Sequence, residues 1–481
     1  MLDLLIAITL LICVALGVRC WLRFGDPLHP AIFISPLFAY SYAIEPWLLR
    51  EQLSRWFPDE DILLWVVLFN LLGVAAFAAG ISRSRWAGMA KWQIQQQHEL
   101  PRLYLLSSAL ALSLVAFLAY AYTLANVGGF AAAYSRAKGG GYAGSGYIGE
   151  AMNLGLVGAL FVGLARRRVG LRLIHWMMLL LGIAPNLLQG TFGGRRGPLF
   201  LALGVTMLAA VLAARRQPSV AKLTASVLAI CLAVLFVWSQ RQHLHLGADE
   251  LDIRWERLAD FATATDADQG NNFIYGTGHV LTAMETKRYS WGREILVNTL
   301  IRPIPRQLWP TKYQDVGATW ITESTPGYGN FSAREWNEAV GWVPLGGSSA
   351  GTLSDLFGEF SWFAIGVFYA VGSGFSYVYW KHRSVGGLWS LLLLESLTLT
   401  IYLATQSFSA FYYRLLILAV PTVLVWKFFI EPRLRRRSTT YAGGKPSQPA
   451  LFGESHLARS ATDRPNTARR QTEGLYQDRK D

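Results

Sequence analysis

The stretch DILLWVVLFNLLGVAAFAAGI, residues 61–81, carries no charge after Asp61. It runs about 20 residues, which at 1.5 Å per helical residue crosses a hydrocarbon core of roughly 30 Å. Leu103 to Ala125 and Ala221 to Ser239 repeat the pattern with almost no charge. Working outward from these windows, about eleven candidate spans begin near residues 4, 29, 61, 103, 148, 172, 197, 221, 352, 387 and 408. The composition agrees. Of 481 residues, 52% are apolar and only 16% charged, where a soluble globule has about a quarter charged. The expected fold class is an all-α polytopic membrane protein with one large external loop.

The net charge of +13 does not point to nucleic acid, because the cations sit in short clusters beside apolar spans rather than along one amphipathic face. The basic loops hold Arg19 with Arg23, the stretch from Arg83 to Lys91, Arg166 to Arg168, Arg215 with Arg216, Lys381 to Arg383, and Arg433 to Arg437. They alternate with the other loops. Since cytoplasmic loops retain Lys and Arg, the N-terminus is expected outside and the C-terminus inside. The first apolar stretch follows Asp3 and no basic residue, so it reads as a retained helix rather than a cleaved signal. Cys13, Cys20 and Cys231 lie in or beside apolar spans and read as packing residues, not as a disulfide or zinc framework.

Four regions are expected: spans over 1–239, a large external segment over 240–350, further spans over 351–431, and a basic, disordered cytoplasmic tail over 432–481, rich in Ser, Thr, Pro and Gly. The segment from Gln240 to about Ala350 is far too long for a connector. It contains helical stretches of its own, Asp249 to Ala262 and Glu294 to Ile301, with many Trp, Tyr and ionisable residues.

Several cations fall outside the basic loops, on the face expected to be external: Arg136 and Lys138 in a Gly-rich loop, Arg195 and Arg196 in a Gly-Arg turn, and Arg302, Arg306 and Lys312 in a Pro-rich run. Guanidinium groups bind phosphate oxygens bidentately and Lys adds a point charge, so an anionic ligand such as a pyrophosphate explains them. The plain alternatives are interfacial snorkelling for Arg195 and Arg196, and a rigid strap for the run containing Pro303, Pro305 and Pro310. Ionisable residues within spans are costly and mark functional cavities. Here they are Glu45, Glu150, Glu359, Glu395 and Arg414, with an ion pair between Glu395 and Arg414 as the structural alternative. Asp355 and Glu359 share one helical face at four-residue spacing. A carboxylate there, or His243, His245 or His279, could serve as a general base, while each His could equally be a solvated loop residue. The acidic run Asp59 to Asp61 reads as ordinary helix N-terminal charge. No metal and no cofactor is assigned.

Three stretches together resemble one family: the turn Gly194 to Gly197 opening a span, the Pro-Arg-x-x-x-Pro-x-Lys element Pro305 to Lys312, and Ser349 to Gly366 with Gly358-Glu359 entering a span. The arrangement is similar to the Wzy-type O-antigen polymerases, and the likeness covers most of residues 100 to 430. In the third stretch Ser361-Trp362-Phe363 stands where a polar Asn and Phe would be expected after the acidic residue. The resemblance implies a glycosyltransferase C-like helical arrangement in a bacterial inner membrane. It also implies metal-independent glycosyl transfer between donor and acceptor glycans linked to undecaprenyl diphosphate, with a flippase and a chain-length regulator as partners. In that reading Arg136, Arg195, Arg196, Arg302, Arg306, Lys312 and Arg414 bind the diphosphate, Glu359 or His279 is the base, and Trp309, Trp320, Tyr328 and Trp336 stack on sugar faces. Trp342 joins them as a candidate, and the plain alternative for the group, for Trp342 above all, is the interfacial aromatic belt. Two rival expectations stand beside it: an O-antigen ligase, and a flippase or exporter of lipid-linked glycan.

Overall fold

In the computed structural model the described residues are 1–83, 101–136, 147–216, 218–240, 246, 271–302, 304, 308–318, 331–344 and 349–434. Every regular element among them is helical. Ten helices are long and apolar enough to cross a membrane: α1 Leu2–Phe24, α2 Pro30–Trp56, α3 Glu60–Ile81, α4 Arg102–Asn126, α5 Ile148–Ala165, α6 Leu173–Thr191, α7 Arg196–Ala213, α12 Thr352–Ser384, α13 Leu388–Thr405 and α14 Phe408–Leu434. Between α7 and α12 lie α8 (Val220–Gln240), whose apolar part is shorter, and three elements of the long segment: α9 Asn272–Thr286, α10 (Arg293–Leu296 continuing as Val297–Ile301) and α11 Ala333–Val340. The stretch Asp249 to Ala262 and the tail beyond Leu434 lie outside the described residues. The described helices up to Glu431 belong to one compact unit.

The ends are set by local chemistry. Asp59 accepts the Asp61 and Ile62 amides to start α3, Asn271 does the same for α9, and Ser407 caps α14. In α2 the helix widens to a π-turn over Tyr40–Ile44 just before Pro46, which has no N–H to return to the Tyr42 carbonyl. Close backbone approach holds the bundle together. A Cβ at Gly80 would lie 2.3 Å from the Tyr369 carbonyl oxygen, and one at Gly155 would lie 2.0 Å from that of Gly182. Small residues therefore let α12 meet α3 and α6 meet α5 at van der Waals distance, the packing available where apolar surface has no water to escape.

The basic loops gather at one end of the bundle. Arg383 of α12 pairs with Asp26 at 2.9 Å, Ser376 donates to the Arg83 carbonyl at 3.0 Å, and Arg215 donates to the Val169 carbonyl at 2.9 Å. The other end carries α9, α11 and the beginnings of α7, α12 and α14. Here Tyr275, His279, Phe331, Trp336 and Trp342 form one aromatic cluster, extended by Trp56 and Phe57.

Candidate functional site

The site is built on the hairpin from α6 to α7. Gly194 takes φ +56°, a conformation that costs other residues a Cβ clash, and the Arg195 amide then donates to the Gly190 carbonyl at 3.0 Å. The turn is tight: a Cβ on Gly190 would stand 2.6 Å from Leu199 Cβ. Arg195 becomes the cap and Arg196 the first residue of α7. The first-turn amides of an 18-residue helix and two guanidiniums thus share one place, and a helix N-terminus favours anions through its orphan N–H groups and dipole.

That place opens on a cavity of about 680 Å³. Glu150 and Asn153 line it from α5, Asn186 and Gln189 from α6, Arg195, Arg196 and Gly197 from the turn, Tyr402 and Gln406 from α13, and Arg414 from α14. Three guanidiniums and one carboxylate line it, and a second carboxylate just outside the lining, Glu45, accepts the Asn271 amide at 3.0 Å and lies within electrostatic reach of Arg196. Arg414 stacks 4.2 Å over the Tyr402 ring and donates to the Ala410 carbonyl at 3.0 Å, which fixes its direction. A Cβ on Gly197 would lie 2.5 Å from the Tyr402 hydroxyl, so glycine is what lets Tyr402, and Arg414 above it, reach the start of α7. Glu150 accepts the Asn153 amide at 3.0 Å and lies within electrostatic reach of Tyr402 and Tyr413. Arg302 sits 5.1 Å over the ring of Tyr413, the residue before Arg414 in the chain, and does not itself line the cavity.

The chain was compared with models of protein families, with curated proteins and with solved structures. It matches none of them. The site is therefore read from its own geometry.

Of the residues the sequence put forward, the fold brings Arg195, Arg196 and Arg414 into the cavity and leaves Arg302 on Tyr413, outside the lining. Arg136 is exposed on its own loop and does not line the cavity. Arg306, Trp320, Tyr328, Lys138, His243 and His245 lie outside the described residues. Lys312 is a correction. It is 2% exposed, and its ammonium donates to the carbonyls of Ile301 at 3.0 Å, Arg302 at 2.9 Å and Ile304 at 2.5 Å. All three of its N–H bonds are thereby used, so it fastens the chain around Arg302 instead of meeting a phosphate.

Glu359 is likewise a fastener. It is 1% exposed, its Oε2 accepts the Gly292 amide at 2.7 Å at the start of α10, and its carbonyl accepts the Trp291 amide at 2.7 Å. Its neighbour on the same face, Asp355, accepts the Ser409 amide at 3.3 Å at the start of α14. The shared face foreseen at four-residue spacing is real, and it steadies the two elements that carry Arg302 and Arg414. His279 is buried against Trp336 and Phe331 with Nε2 packed on Gly358, burial lowers its pKa to about 4, so it is neutral, and it does not line the cavity. Trp336 is fully buried in the same cluster, which leaves no face for a sugar. Trp309 donates its indole N–H to Asp315 and does not line the cavity. Glu395 and Arg414 form no ion pair: Glu395 is fully buried and accepts the Thr422 hydroxyl.

Reading the sequence missed Asn186 and Gln189. Asn186 is fully buried with both amide atoms unpartnered among the described residues, and Gln189 has an unpartnered Oε1. Each unmet group costs roughly 1–3 kcal/mol. Their signal was present: two amides three residues apart on an otherwise apolar helix, directly after Pro185. Glu150 is legible in the sequence as an ionisable residue of a span, and only the fold puts it in one cavity with the cations.

Proposed function

We propose that this cavity binds the diphosphate of a lipid-linked glycan and transfers the glycan to a sugar hydroxyl, polymerising repeat units at the outer face of a bacterial inner membrane. The observation that carries the reading is the convergence of Arg195, Arg196 and Arg414 on the N-terminus of α7, in a cavity that Glu150 also lines. A glycosyl diphosphate gains negative charge as its anomeric C–O bond breaks. Fixed cations and helix amides aimed at that charge lower the barrier.

In the proposed reaction the acceptor hydroxyl oxygen bonds to the anomeric carbon as the bond to the diphosphate oxygen breaks. The hydroxyl proton passes to Glu150, oriented by Asn153, and the bond electrons leave with the diphosphate, held by Arg195, Arg196 and Arg414. Glu150 takes the role expected of Glu359 or His279, because it is the carboxylate in the cavity. The outer-face assignment follows from the alternation of basic loops, and the flippase and chain-length regulator follow from the family resemblance.

The test is the banding of surface polysaccharide on a gel for the host strain, a deletion of this gene, and the deletion restored with wild type, Arg196→Ala or Arg414→Ala. The expected result is collapse of the ladder to core plus one repeat unit in the deletion, with no recovery from either variant at normal membrane abundance. Loss of every repeat, including the single-unit band, would overturn the polymerase reading in favour of a ligase or flippase.

A further inference from the structure

The element α10 is apolar on two faces, and the protein covers only one. Val297 and Ile301 pack on Tyr313, Val316 and Ala318. Leu296 and Leu300, four residues apart on the adjoining face, are 57% and 61% exposed, and Trp291 just before the helix is 61% exposed. Such a run of large apolar side chains does not normally face water.

The level of α10 in the bundle is fixed at both ends. At its start the Gly292 amide bonds to Glu359, and the Trp291 ring meets Phe363 at 6.3 Å, where Phe363 is the 73%-exposed residue that heads the Ala364–Ser384 part of α12. At its end Arg302 lies over Tyr413, five residues inside α14 and so about 7.5 Å along that helix from its beginning. Two bolts keep it there: Arg293 donates to the Val316 and Gly317 carbonyls at 2.7 and 2.8 Å, and Lys312 holds the carbonyls of Ile301 and Arg302. An exposed leucine face at this depth, continuous with the exposed Trp362 and Phe363 of a spanning helix, meets hydrocarbon.

We infer that α10 is an interfacial beam whose Trp291, Leu296 and Leu300 face is covered by the acyl chains of the bilayer leaflet at the cavity end. The beam lies in the membrane surface rather than in an aqueous loop. It presents Arg302 at lipid headgroup depth, so a phosphate arriving within the leaflet meets Arg302 before it meets Arg414. The inference concerns placement and does not depend on what the cavity binds.

The test is collision accessibility of a nitroxide placed on Leu296→Cys or Leu300→Cys in the full chain in liposomes, with Gln314→Cys as the exposed polar control and the unmodified chain subtracted for its native cysteines. Oxygen, which concentrates in lipid, is expected to collide several-fold more often than a water-soluble nickel chelate at 296 and 300, with the order reversed at 314. Nickel access at 296 and 300 equal to that at 314 would overturn the inference. So would exclusion of both reagents, since that would mean protein covers the face. All three substitutions replace exposed side chains, so the fold is retained, and thermal melting of each labelled chain checks this.

Discussion

The two ends of the bundle use the same residue types to opposite effect. At the basic end Asp26 accepts the Arg383 guanidinium at 2.9 Å, the Tyr379 hydroxyl at 3.0 Å and the Leu28 amide at 3.0 Å. Burial pushes the Asp26 carboxyl up, but the Leu28 amide and Arg383 outweigh it and the net shift is downward, so the group is an anion with its partners in place. His382 bonds to Ser390, and Arg166 and Arg215 each donate to a carbonyl of the adjoining turns. At the cavity end three guanidiniums, a helix N-terminus and two buried amides gather around space, with one carboxylate among them. Near a membrane, a cation met by carboxylates and carbonyls is a fastener. At the cavity end Arg414 also bonds to a carbonyl, that of Ala410, so what distinguishes the two ends is that these guanidiniums line an open space with unpartnered amides beside them.

The sharpest way to break this contrast is to compare two acids of the cavity end, Glu150, which lines the space, and Glu359, which is bonded away from it. Glu150→Gln removes the proton acceptor proposed for the cavity and should lower transfer on the order of 10²- to 10⁴-fold. Glu359→Gln keeps an oxygen that can accept the Gly292 amide and should retain transfer within a few-fold, whereas Glu359→Ala should lower the melting temperature. Quantified ladder formation and melting in detergent decide it. An inactive, normally melting Glu359→Gln beside an active Glu150→Gln would move the base to α12.

Next in size is the exchange of arginines. Arg414→Ala should cost about 10²- to 10³-fold in transfer, as loss of one transition-state donor does, with melting little changed. Arg383→Ala should do the reverse, leaving Asp26 buried without its cation and lowering the melting temperature while each folded molecule still works. Catalytic loss at unchanged melting for Arg383→Ala would join the two ends functionally and end the comparison. A smaller effect of mixed kind belongs to Lys312→Met, which keeps the stem and removes the three donors. It should weaken substrate affinity through a misplaced Arg302 more than it slows turnover, so KM rises while kcat holds. A fall in kcat alone would instead mean that the ammonium acts on the reacting group.

The spans were legible because a helix in lipid must be long and apolar throughout, a property of single windows such as 61–81. The Gly-Arg turn was legible for a similar reason: Gly194 and Arg195 form the site with residues adjacent in sequence. Glu359, His279 and Trp336 were misread because their roles depend on partners far along the chain. Glu359 bonds to Gly292, His279 packs on Gly358, and Trp336 stacks on Tyr275 at 5.2 Å. No local pattern separates a carboxylate that caps a distant helix from one that takes a proton. Asn186 and Gln189 could have been found by asking why an apolar helix spends two amides on one face.

The smallest expected effect compares a histidine from each end by titration. Burial lowers His279 to about 4; burial also lowers His29 to about 4, there with Asp26 opposing and Arg383 reinforcing. Both have an ordinary value of 6.5. Between about 6.5 and about 4 the unfolded chain therefore binds protons that the folded chain refuses. The stability these neutral imidazoles allow is present in full above about 6.5 and is lost as the pH falls toward 4, by at most about 3 kcal/mol for each. Melting temperature should fall over that window, and His279→Phe should flatten the fall at some general cost in packing. His29→Gln should also flatten it, but by an amount that changes with ionic strength, because only His29 has charged neighbours contributing to its shift. Equal salt dependence in the two variants would show that His279 senses charges too, and the aromatic cluster at the cavity end would then belong to the same electrostatic field as the arginines.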